Sequence, residues 1–98
     1  MENLEKVKKH ARDLRNDEPR SPEERLAGYP LAARCLDKCR ATILGWQGDY
    51  MFNCPMDQQF LSNAQLDAGE FKSFVATGAS DQEVEQWIEQ HAGRRKAA

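Results

Sequence analysis

No stretch of about 18 uncharged apolar residues occurs anywhere in the chain, so no segment reads as a membrane-crossing helix. The opening run Met1-Glu2-Asn3-Leu4-Glu5-Lys6-Val7-Lys8-Lys9 carries charges where a secretory signal needs an apolar core. A basic excess is missing too. Fourteen Lys and Arg face 16 Asp and Glu, a formal net charge of −2, with a pI near 5.7. Phosphate-backbone affinity grows with the number of cations presented together, so nucleic acid is a disfavoured partner. Cysteine is scarce and odd in number: Cys35, Cys39 and Cys54. With nothing pointing to secretion, they are expected as reduced thiols in a cytoplasmic protein. Also absent are a phosphate loop, a dinucleotide glycine fingerprint, a metalloprotease motif and a nucleophile elbow. No cofactor and no metal are therefore expected, and the balance leans away from an enzyme.

What is present suits one globular unit. The 98 residues are 40% hydrophobic and 31% charged, enough apolar surface for a core without a staple. Tyr29 apart, the aromatics run from Trp46 to Trp87, which assigns most packing to the later part of the chain. Leu4, Val7, Ala11 and Leu14 recur at helical spacing, and Pro19 predicts an end near Asn16. Ser21-Pro22-Glu23-Glu24 combines an N-cap, a first-turn proline and a glutamate three residues on. It predicts a helix of one or two turns before Gly28-Tyr29-Pro30.

The cleanest amphipathic segment is 31–44. At about 100° per residue, Leu31, Ala32, Cys35, Leu36, Cys39 and Ile43 share an arc of about 140°, and Gly45 supplies a stop. Trp46, Gly48, Tyr50 and Phe52 then alternate with Gln47, Asp49, Met51 and Asn53, a period of two that predicts an extended central loop. Pro55 opens another helix with Met56, Phe60, Leu61 and Ala64 inward. Asp67-Ala68-Gly69-Glu70 and Ser80-Asp81-Gln82-Glu83 are two further capping boxes. They precede the stripes Phe71, Phe74, Val75 and Val84, Trp87, Ile88, His91, closed by Gly78 and Gly93. The fold expected is all-α: one domain over residues 1–93, a small bundle of five or six short helices with one extended central loop. Residues 94–98 read as a frayed basic tail.

Several blocks together resemble a known family. Asp13-Leu14-Arg15, Arg20-Ser21-Pro22, Gly28-Tyr29, Ala33-Arg34, Asp37-Lys38 and Arg40-Ala41 lead into Gly45, Gly48, Tyr50 and Asn53-Cys54-Pro55-Met56-Asp57. Gly78, Ser80-Asp81, Glu83-Val84 and Trp87 complete the pattern. It resembles the bacterial family known as domain of unknown function 5069. The Asn-Cys-Pro-Met-Asp block is its most specific part. The resemblance implies a small helical bacterial protein and brings no activity, substrate or cofactor. Cys35 and Cys39 stand where the resemblance leads one to expect aliphatic or small residues, and Pro30 is also atypical.

Cys54 is the first chemical candidate. Its place before Pro55 puts the thiol at a helix N-terminus, where unpaired N–H groups and the macrodipole favour a thiolate. Tyr50, Asn53 and Asp57 are close in sequence. Asp57 opposes the thiolate by its charge, and only His10 or His91, approaching in space, could serve as a base. The plainer reading is a structural turn in which Asn53 and Asp57 satisfy backbone groups.

Cys35 and Cys39 fall inside the apolar arc and read as core. Arg34, Asp37, Lys38 and Arg40 lie outside it. Their spacing reads as a solvated helix face with Asp37 paired to Arg34 and Arg40. The functional alternative is an anion site built from Arg34 and Lys38, with Arg20 reaching in. Trp46, Tyr50 and Phe52 suit a core plug beneath the loop, or else an aromatic wall. The leading functional reading is a small intracellular binding or interaction module without catalysis. Its surface would be the polar face of 31–44 with segment 45–57, gathering Arg20, Arg34, Asp37, Lys38, Tyr50, Asn53, Cys54 and Asp57, and its partner a small anion or a protein. The alternative is a small enzyme or redox-responsive protein acting through Cys54.

Overall fold

In the computed structural model, which describes residues 2–93, five helices follow one another without a strand among those residues. The segment 94–98 read as a basic tail lies outside the described residues. The helices are α1 (Leu4–His10), α2 (Ala32–Leu44), α3 (Pro55–Ala64), α4 (Ala68–Val75) and α5 (Asp81–His91). Helix α2 is the post of the fold and contacts α1, α3 and α4. Its stripe of Cys35, Leu36 and Cys39 is fully buried. It meets Phe60 and Leu61 of α3, Phe71 and Val75 of α4, and Val84 and Ile88 of α5 in one core. Phe71 is the hinge of the aromatic packing, edge-on to Phe60 and Trp87 and stacked on Phe52.

Local start and stop signals account for most boundaries. Ser80 accepts from the Glu83 N–H while the Glu83 carboxylate accepts from Ser80 N–H, a complete capping box. Asp67 caps α4 through the Glu70 N–H, and Gly45 closes α2 in the left-handed region.

Three expectations are corrected. Helix α1 stops at His10 rather than near Asn16. Asp13 takes the Arg15 N–H on its carboxylate and the Asn16 N–H on its carbonyl, so a local turn outcompetes the next helical turn. Leu14 is buried from that turn all the same. The Ser21 signal yields a hydrogen-bonded turn and no helix, with Glu23 and Glu24 N–H donating to Ser21 Oγ and O. Ala27 and Gly28 then turn left-handed between the mutually bonded Leu26 and Tyr29, which no helix can follow. Met56 faces solvent rather than the core, at 41% exposure.

Gly78 lets α1 approach the α4–α5 turn. Its φ is +91°, and a Cβ there would fall 2.2 Å from Lys6 Cβ. Gly28 has a similar φ of +82° but open space around it. Gly78→Ala should therefore cost about 1–3 kcal/mol beyond backbone strain, and Gly28→Ala only about 1–2 kcal/mol of strain. Urea unfolding of the two variants side by side checks this; equal losses would remove the steric argument.

Candidate functional site

The face of α2 read as solvated is buried. Asp37, Lys38 and Arg40 are 2%, 4% and 2% exposed, so burial wraps nearly the whole helix. Charges so placed require partners, and their partners come from distant segments rather than from the same helix. The expected Asp37 pairing with Arg34 and Arg40 is replaced by two separate clusters.

The first cluster pins the segment before α2. Asp37 Oδ2 accepts from Arg20 N–H at 2.8 Å and Arg20 Nε at 3.0 Å, and Asp37 Oδ1 from Arg20 Nη2 at 3.0 Å. Arg20 Nη1 continues to Asp81 Oδ2 at 2.8 Å. Arg40 binds Asp81 Oδ1 and the Ala79 carbonyl, both at 2.9 Å. Burial works against the Arg20 cation, but Asp37 and Asp81 outweigh it and raise its pKa. For Asp81, burial favours the acid, while Arg20 and Arg40 prevail and hold the carboxyl below its ordinary range. For Arg40, burial dominates over Asp81 and lowers the pKa from its very basic ordinary value.

The second cluster joins α2 to the central loop. Lys38 Nζ lies 2.9 Å from Asp57 Oδ1 and donates to Cys54 Sγ at 3.2 Å. Asp57 Oδ2 accepts from the Asn53 N–H at 2.8 Å, and Gln58 Nε2 donates to the Asn53 side-chain oxygen. Asn53 adopts a left-handed φ of +66°, a conformation asparagine accepts better than most residues. It turns the chain so that Cys54 becomes the N-cap of α3 with Pro55 at N1.

Cys54 is half-buried, in contrast to Cys35 and Cys39. Sγ makes no regular capping hydrogen bond. Burial pushes its pKa up and the Asp57 charge does the same. The N–H groups of Asp57 and Met56 and the Lys38 ammonium pull it down, and the net direction is below the ordinary thiol value. Lys38 keeps its proton: burial disfavours the ammonium, but Asp57 and Cys54 raise its pKa overall. Burial raises the pKa of both Cys35 and Cys39, as befits core thiols. Neither histidine stands among the groups that bond to Cys54. His91 stacks on Trp87 and bonds to its carbonyl, and His10 lies beside Arg20 and Arg40.

Arg34 ties the segment before α2 to Tyr50 of the central loop. Arg34 Nη1 donates to the Arg20 carbonyl at 3.2 Å, and its guanidinium carbon sits 5.8 Å from the centre of the Tyr50 ring. Arg34 Nε is buried without a hydrogen-bond partner. Trp46 is covered by Arg15 in the same manner, whereas Phe52 packs into the core. The eight residues singled out from the sequence therefore line two sides of α2 instead of one cleft. The anion site of Arg34, Lys38 and Arg20 does not form, because Lys38 and Arg20 are already held by Asp57 and Asp37. Sequence reasoning missed Asp81 as a partner and the basic group Lys9, His10 and Arg12 that faces the first cluster. The basic last turn of α1, with Lys8, Lys9 and His10, is the signal that was available.

The fold and these clusters define a small all-helical domain whose central helix is locked by buried ion pairs. Residues 16–98 match the family described as Domain of unknown function (DUF5069), and the chain belongs to that family. No curated protein matches the chain. Among the described residues, no helix is long and apolar enough to cross a membrane.

Proposed function

We propose that the protein is a thiol-responsive module in which Cys54 is the reacting group. The observation that carries this reading is the buried Lys38 ammonium, which donates to Sγ at 3.2 Å while Asp57 holds it from the other side. A cation fixed at that distance favours the thiolate over the thiol, and the helix terminus adds its dipole. Half-exposure leaves the sulfur within reach of a small reagent.

The supported chemistry is thiol–disulfide exchange with a small disulfide. The Cys54 thiolate attacks one sulfur and a mixed disulfide forms. The other half leaves as a thiolate that takes up a proton from solvent. Lys38 acts as an electrostatic stabiliser and not as a base, since its pKa is raised. A reducing, cytoplasmic setting belongs to the same proposal, with all three thiols free. The competing interaction-module reading keeps little surface on α2, because Asp37, Lys38 and Arg40 are internal.

The test is the pH profile of iodoacetamide alkylation, resolved by peptide mass. Cys54 should react with a midpoint below that of a free cysteine control, whereas Cys35 and Cys39 stay unlabelled in the folded protein. Absorbance at the thiolate band, lost in Cys54→Ser, should titrate at the same midpoint. A Cys54 midpoint at or above the control would end the proposal.

A further inference from the structure

On the other side of α2 lies an open depression with about 430 Å³ of water-accessible space, inside the roughly 300–1,000 Å³ range of small-molecule sites. We propose that it binds a small dianion of the phosphate class. Its lining holds four permanent cations, Lys9, Arg12, Arg20 and Arg40, against two carboxylates, Asp37 and Asp81, with His10 beside them. The excess is two positive charges in a concavity, on a chain whose formal net charge is −2. A concave surface of one sign concentrates counter-ions.

The cations fall into two groups with different duties. Arg20 and Arg40 are engaged by Asp37, Asp81 and the Ala79 carbonyl, so they form a rigid, charge-balanced floor, and the excess of two is carried by Lys9 and Arg12. Lys9 and Arg12 are exposed on the rim. Lys9 has no anionic partner among the described residues. Arg12 spends Nη1 on the Glu18 carbonyl and stands 3.9 Å from Asp37 through Nε, too far for a hydrogen bond. Its remaining donors and the Lys9 ammonium are available to an anion. Glu24 stands 3.8 Å from Arg20 and adds a third carboxylate at that cation, which leaves Lys9 and Arg12 as the cations open to a ligand.

The site is separate from Cys54 and stands or falls independently of it. Titration with inorganic phosphate, and in parallel with a sugar phosphate, at constant ionic strength should raise Tm saturably at millimolar levels. Calorimetric affinity should weaken about tenfold in Arg12→Gln, consistent with one lost charged hydrogen bond, and likewise in Lys9→Gln. Lys8→Gln, on the same helix but paired with Glu5, should bind as wild type. All three changed side chains are exposed, so the variants should fold. Tighter binding of the sugar phosphate would identify an organic phosphate as the ligand, and tighter inorganic phosphate the free ion. No saturation, or equal binding in wild type, Arg12→Gln and Lys9→Gln, would overturn the proposal.

Discussion

Asp57→Ala should destabilise the protein by about 3–5 kcal/mol, because it strands the Lys38 ammonium in the interior. Lys38 is 4% exposed and Asp57 1%, so water cannot replace the lost partner. The same change removes the acceptor of the Asn53 N–H, and with it the turn that presents Cys54. For a domain of this size, Tm should fall by roughly 15 °C or more. Replacing both partners by apolar residues, Lys38→Met with Asp57→Leu, should recover much of that loss. Thermal and urea unfolding of the single and double variants decide the matter. A single-variant loss under about 1 kcal/mol would mean that the pair is open to solvent.

The pair also has a signature at alkaline pH. Lys38 has a raised folded pKa, despite burial, owing to Asp57 and Cys54. Its contribution is complete below the unfolded lysine value of about 10.4 and is lost as pH rises through the folded value. Stability of the wild type should therefore decline on the alkaline side more steeply than that of the double variant.

How far the sequence was legible follows from where each residue's partners lie. Cys35, Leu36 and Cys39, the Ser80–Glu83 box and the Gly45 stop depend on neighbours within one or two helical turns, and pattern rules read them well. Asp37 and Arg40 depend on residues far along the chain. Arg20 is 17 positions from Asp37 and Asp81 is 41 from Arg40. Local pairing rules therefore supplied the nearer choice of Arg34, Asp37 and Arg40 on one face. A hint was available in Ala33 and Ala41, which sit one turn before and after Asp37 and are fully buried. Small side chains on a supposedly wet face allow another segment to approach. The failed Ser21 helix has a similar origin: Ala27 and Gly28 are held left-handed, and the Ala27 N–H is taken by Glu85 from α5, a contact invisible to any local window. Cys54 was legible because helix N-caps are local, while its cation was not, because Lys38 reaches it from another helix.

If α2 is a post that holds a loop on each side, Asp37 and Asp57 should have separable effects. Asp37→Ala removes three acceptor contacts to Arg20, including the one to its backbone N–H. Arg20 is 14% exposed in its side chain and keeps Asp81, so the cost should be about 3 kcal/mol, at the low end for a broken buried pair. The structural response should be confined to the segment that Arg20 anchors. Amides from Arg20 to Leu31, including the Leu26–Tyr29 bridge and the Leu31–Pro22 bond, should exchange faster, while those of 45–57 stay protected. Asp57→Ala should give the reverse map. Hydrogen exchange by mass spectrometry, at a denaturant-free pH where both variants remain folded, separates the two. If either change loosened both segments equally, the clusters would form one cooperative unit, and the independence of the thiol side from the basic depression would be lost.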